Sequence, residues 1–229
     1  MYLKILLQNK YIYKIGSSAI LIINLIKNIL NIYDDNMYKL MEANMKLQVL
    51  VSCMHQQDYS LLEKMNIQTD AIIINQCDIN KFEDIKYRNN LVKFISLNER
   101  GVGKSRNNAL LRADSDICLF ADEDVSYVDG YEDIIIKAFK KNPDADIILF
   151  NLESTNKQRP IYQITKEKRV RKYNFLKYGT VRIAAKVSSL RKANVHFSLL
   201  FGGGTKYGSG EDSLFLKDCI SREIGRAHV

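Results

Sequence analysis

The 229-residue sequence has only two prolines, too few for a proline-rich linker to divide it. It shows no fixed-period self-similarity, which excludes a repeat array. It has four cysteines, Cys53, Cys77, Cys118 and Cys219, and no two stand at C-x-x-C spacing. That excludes a zinc ribbon or thiol redox motif and fits a reduced, cytosolic compartment. Cys53 and Cys118 lie in apolar runs, where a free cysteine behaves as a small buried hydrophobe. Histidine is equally scarce, and His55 and His196 read as structural. No signal-peptide cleavage pattern is present.

A hydrophobic share of 46% supplies a core for one substantial domain, so disorder is excluded. The formal net charge of +8 suits an anionic partner: nucleic acid, a membrane surface or a phosphorylated small molecule. The densest basic stretch, Lys166 to Lys172, carries no nucleic-acid motif and reads as a solvated surface run, so no nucleic-acid partner is expected.

Residues 18–33 are apolar, interrupted by Asn24, Lys27, Asn28 and Asn31. Those positions draw a single polar stripe down a helix. A spanning helix needs about 20 residues with few polar breaks. The stripe therefore predicts a helix lying on the protein or a partner, with peripheral attachment to the inner face of a membrane as the second reading.

From Lys46 onward short apolar runs alternate with helical patterns. Leu47–Met54, Asp70–Asn75, Leu91–Leu97, Ile117–Ala121 and Ala145–Asn151 read as strands. Helices are expected at Tyr59–Met65 and Ser105–Ala113, and along the face Tyr131, Ile134, Ile135, Ala138 and Phe139. The alternation predicts an α/β fold, a doubly wound and mostly parallel sheet with helices on both faces. In such sheets ligands bind beyond the carboxyl ends of the strands, here around residues 75–78, 98–105 and 122–124.

Asp122, Glu123 and Asp124 follow the apolar run CLFA directly. Carboxylates at i and i+2 can converge on one hard cation that also holds diphosphate oxygens; the same triplet also fits an acidic surface turn. Farther on, Gly202 to Gly204 and Gly210 precede Glu211 and Asp212, which open an amphipathic helix with Phe215, Leu216, Cys219 and Ile220 inward. Acidic residues in a first helical turn also have a plain explanation, stabilisation by the macrodipole.

Taken in order, four segments resemble the family 2 glycosyltransferases and their GT-A relatives. They are the strand LQVLVS with NQCD, the segment NERGVGKSRNNAL, FADEDV in the place of D-x-D, and GEDSLF in the place of the later E-D motif. The resemblance spans Leu47 to about Ile220. Ser105, Asn108 and Val125 depart from the residues usual in the family, and none of these removes a predicted ligand. The resemblance implies a GT-A fold with a Rossmann-like nucleotide-binding half and an acceptor half. It implies an inverting transfer from a nucleotide-diphosphate sugar, a UDP-sugar by family habit, to a hydroxyl of a carbohydrate or lipid-linked carbohydrate acceptor, as in surface glycan or polysaccharide synthesis. Asp124 and Asp122 would hold Mg²⁺ or Mn²⁺; Asp122, Asp78, Arg106 and Ser52 would contact the nucleotide-sugar. Asp212 would be the base and Glu211 would position the acceptor.

Two alternatives remain open at this stage. Asn98 to Ser105, NERGVGKS, is one residue from a P-loop, in which Lys104 would hold phosphates and Ser105 a Mg²⁺ ion of an NTPase or kinase. A non-catalytic sugar-nucleotide-binding domain is the other. The last six residues, IGRAHV, match the translation of a common sequencing adapter read to its stop. The expected organisation is therefore an extension over residues 1–45, a GT-A domain over 46–222 that is incomplete at its C-terminus and weakly active or inactive for that reason, and a non-native tail over 223–229 that includes His228.

Overall fold

The computed structural model describes residues 45–154, 158, 161–167, 169–171 and 174–222, and the backbone of 227–228. The helix expected over residues 18–33 lies outside the described residues.

Four strands form the parallel centre of the sheet. They are β1 (Leu47–Met54), β2 (Asp70–Gln76), β4 (Asn90–Leu97) and β5 (Ile117–Asp122), with β1 between β2 and β5 and β4 beyond β2. The edges are different. β3 (Lys81–Tyr87) forms an antiparallel hairpin with β4, and on the other side β7 (Ile183–Lys186) runs antiparallel to both β5 and β6 (Ile147–Leu149). A two-residue strand, β8 (Ala227–His228), pairs with β6 and completes the order β3-β4-β2-β1-β5-β7-β6-β8. The doubly wound, mostly parallel sheet expected from the sequence is therefore present, with antiparallel additions at its edges.

Period-2 alternation sends successive strand residues to opposite faces. Leu50, Ile72, Ile74, Ile95 and Phe120 pack on one side with Ala109 and Leu110 of α2 (Val102–Arg112), Leu190 of α4 (Val187–Ala193), and Phe215 and Leu216 of α5 (Glu211–Ser221). Val49, Val51, Ile73, Phe94 and Leu119 pack on the other with Leu61 and Leu62 of α1 (Ser60–Lys64) and Tyr131, Ile135 and Phe139 of α3 (Tyr131–Lys141). All of these are buried, whereas Ile134, expected on the inner face of α3, is half exposed.

On the first face an aromatic trio fixes α5 against the sheet. Phe197 and Phe215 stack at 4.0 Å between ring centroids, and Phe120 meets them edge-on at 5.2 and 5.7 Å. Such pairs add about 0.5–1.5 kcal/mol each beyond their buried area. Asn107 of α2 holds the Phe197 backbone from both sides, donating to its carbonyl at 2.9 Å and accepting from its N–H at 2.8 Å.

Chain order reverses at β1: β2 and β4 lie on one side, and β5 follows on the other. This switch point opens a crevice at the carboxyl ends of β1 and β5, where Ser52 and Asp122 stand level in register.

Candidate active site

Asp122 ends β5 at this crevice, and α2 runs alongside with Arg106 one turn into its length. The Arg106 side chain is only 4% exposed. Its Nη2 donates to both oxygens of Asp122, at 3.0 and 3.1 Å, and its Nη1 donates to Asp212 at 2.8 Å and Glu211 at 3.2 Å. The guanidinium lies over Phe197, 5.4 Å from the ring centroid. Burial works against its charge, but Asp122, Asp212 and Glu211 outweigh that and hold the group above its ordinary range. Arg106 Nε is buried and makes no hydrogen bond among the described residues.

Three segments distant in sequence therefore meet on one cation. Asp122 keeps 37% of its side chain open to solvent. Desolvation raises its pKa above the usual carboxylate range; Arg106 opposes this, and the charges of Asp212 and Asp124 add to it. Glu123 turns away from the cluster and accepts from the Met54 N–H at 3.1 Å and the Gln56 amide at 2.8 Å, tying the end of β1 to the acidic turn. Asp124 is exposed on the same turn, two residues beyond Asp122.

Asp212 has a second set of partners that the sequence did not reveal. The Thr180 hydroxyl donates to Oδ1, and the Thr180 N–H donates to Oδ2 at 3.0 Å. Thr180 is buried in a 3-10 turn, Thr180–Arg182, just before β7. No motif marked it, because its role arises from the return of β7 antiparallel to β5.

Glu211 owes its place to Gly202. A Cβ at Gly202 would stand 2.6 Å from Val102 Cγ1 and 2.7 Å from Glu211 Cδ, and the residue has φ +102°, so only glycine fits without displacement. Gly103 admits the Phe197–Ser198 backbone against α2, since a Cβ there would lie 2.2 Å from the Ser198 carbonyl oxygen.

Ser52 is at the crevice in register but is buried, donating to Ser105 Oγ at 2.8 Å and accepting from the Gln76 amide at 3.4 Å. Its hydroxyl braces the floor beneath the crevice. Asp78 lies at the end of β2, 82% exposed, in an ion pair with Arg100, and makes no contact with the Arg106 cluster among the described residues. Arg100 also donates to the Cys77 carbonyl, which links the β2 and β4 loops.

The P-loop alternative is not supported. Ser105 is buried and faces Ser52, so it is not free to hold a cation. The Gly101 and Val102 N–H groups, which a phosphate-wrapping loop would point at its ligand, donate instead to Gln76 Oε1 at 2.8 Å and the Gly203 carbonyl at 3.0 Å.

No group of three or more His, Cys, Asp or Glu residues forms a ready metal cage among the described residues. The donor set nonetheless fits a hard cation of the kind that uses one or two carboxylates and completes its shell with substrate phosphates and water. Asp124 and the open rim of Asp122 are the residues that could supply those carboxylates.

A switch-point crevice in a mixed α/β sheet, lined by acidic residues at the end of β5 and at the start of α5, is the arrangement of a GT-A fold. The profile described as "Glycosyl transferase family 2" matches residues 59–196, more than half of the chain, and the chain belongs to that family. Among solved structures it is similar to S. aureus TarS 1–349, with a TM-score of 0.56 and 20% identity over 81% of this chain and 58% of that one. The same protein in complex with UDP-GlcNAc gives 0.59 at 21% identity over 81% and 56%, and in complex with UDP 0.58 at 21% over 81% and 57%. At these identities the likeness establishes the fold. The chain spans a little over half the length of these structures. No curated protein matches it. Among the described residues no helix is long and apolar enough to cross a membrane.

Proposed function

We propose that the chain transfers a sugar, with inversion, from a nucleotide-diphosphate sugar to a hydroxyl acceptor of carbohydrate character. The observation that carries this reading is the Arg106 cluster, which joins the acidic turn after β5 to the Glu211–Asp212 pair. One site thereby acquires a donor side and an acceptor side. The TarS structures with UDP and UDP-GlcNAc support a uridine nucleotide as the donor's leaving half.

On the donor side Asp124, with the open rim of Asp122, would hold Mg²⁺ or Mn²⁺ against the diphosphate. Such an ion, when bound, offsets charge on the leaving group. Asp78, exposed just beyond β2, would contact the nucleobase end of the donor. On the acceptor side Asp212 takes the proton of the attacking hydroxyl, and Glu211, 12% exposed, helps shape the wall beside it.

The test is turnover of UDP-GlcNAc by the chain and by Asp212→Asn. Loss of about 10²-fold or more in rate, with UDP affinity kept, is expected for removal of a general base. Binding of UDP without any turnover would fit both an incomplete acceptor side and a non-catalytic nucleotide-sugar-binding domain, whereas undiminished turnover by Asp212→Asn would overturn the base assignment.

A further inference from the structure

The two oxygens of Asp212 are not equivalent. Oδ1 accepts two hydrogen bonds, from Arg106 Nη1 at 2.8 Å and from the Thr180 hydroxyl. Oδ2 accepts one, from the Thr180 N–H at 3.0 Å. A carboxylate oxygen offers about two lone-pair directions, so among the described residues Oδ1 is filled and Oδ2 retains one.

Residue 179, beside Oδ2, is glycine. A Cβ built on Gly179 would meet Asp212 Oδ2 at 3.4 Å and, among the described residues, no other atom within 4 Å outside its chain neighbours. The Gly179 backbone is extended, with φ −83° and ψ 161°, a conformation open to any residue. Backbone freedom therefore does not explain the glycine at this position, and a side chain here would occupy space next to Oδ2.

We infer that Oδ2 is the proton-accepting oxygen and that the acceptor hydroxyl reaches it across Gly179, with Thr180 and Arg106 acting as positioning residues that fix Oδ1. This rests on the function proposed above and adds the direction of approach. The acceptor O–H bond breaks as its proton passes to Oδ2. The acceptor oxygen forms a bond to the anomeric carbon, and the bond from that carbon to the diphosphate breaks with its electron pair leaving on the nucleoside diphosphate. Asp212 ends as a carboxylic acid and the nucleotide as the free diphosphate. A hydroxyl must lie about 2.6–3.2 Å from the base for this step, a distance that a methyl group in van der Waals contact with Oδ2 would deny it.

Three variants test the inference, read by UDP-GlcNAc turnover with water or an added alcohol as acceptor and by UDP calorimetry with Mn²⁺. Gly179→Ala, which the backbone tolerates, is expected to lower turnover about tenfold or more while UDP affinity stays within about threefold. Thr180→Val is expected to lower kcat by a similar factor at unchanged donor KM, and Thr180→Ser, which restores the hydroxyl, to recover most of it. Full turnover by Gly179→Ala, or a Thr180→Val loss that Thr180→Ser does not rescue, would overturn the inference. Turnover that survives Asp212→Asn would instead sink the base assignment itself, and a wild-type chain that neither binds UDP nor consumes UDP-GlcNAc would sink both.

Discussion

Arg106 and Asp122 stand 16 residues apart in the chain and are joined by one guanidinium nitrogen that donates to both carboxylate oxygens, at 3.0 and 3.1 Å. The pairing fixes α2 to the end of β5 and leaves the other terminal nitrogen, Nη1, for the acidic pair that opens α5. Removing the cation would leave three carboxylates facing one another in a partly buried site. Arg106→Ala is therefore expected to destabilise the domain by about 3 kcal/mol, the low end for breaking a buried pair, because Asp122 can rehydrate at its open rim. Urea denaturation measures it. A loss below about 1 kcal/mol would show that the cluster is a surface arrangement.

Gly202→Ala forces a Cβ at φ +102° into Val102 and Glu211. Strain and overpacking together are expected to cost about 1–3 kcal/mol. Because the clash falls on Glu211 as well as on α2, turnover should fall by more than the lost folded fraction explains. Thermal melts and turnover measured on the same preparation separate the two effects.

The thiols provide a pH test. Burial raises the Cys118 thiol to about 12, and burial likewise pushes Cys53 and Cys219 far up, with nearby Glu123 and Asp218 respectively adding to it. At pH 8 all three should resist an aromatic disulfide reagent in the native state and react on unfolding. An acid whose folded pKa is raised holds its proton longer in the native state. Stability should therefore fall as the pH rises above the unfolded thiol value of 9.0. Rapid native-state modification of Cys118 would contradict its burial.

The parallel centre of the sheet was legible because its strands are continuous apolar runs, buried on both faces. β3 was not. Its residues, KFEDIKY, are mostly exposed at the edge and present a charge nearly every second position, so apolar content did not mark them. The hairpin signal was the turn itself, Arg88 and Asn89, both at positive φ. β7 was missed because IAAK is four residues long and holds two alanines.

The site divides the same way. Asp122, Glu211, Asp212 and Arg106 could be named from ordered motifs, since the three acids lie at the ends of recognisable elements and Arg106 one turn into another. Their mutual contact could not be, because it depends on the Phe197–Phe215 stack that seats α5 on the sheet. Thr180 and Gly179 belong to the segment between β6 and β7, where no periodicity pointed to a function. Ser52 sits where the strand reading put it, yet its hydroxyl is taken by Ser105 beneath the crevice.

The most direct test of a cation-assisted nucleotide site at the end of β5 is calorimetric titration of UDP into the wild-type chain and into Asp124→Ala, each with and without Mn²⁺. Asp124 is exposed and outside the Arg106 cluster, so its replacement should leave the fold intact. The account predicts Mn²⁺-dependent UDP binding by the wild-type chain and its loss in the folded variant. Equal Mn²⁺-dependent affinity in the two chains would contradict it.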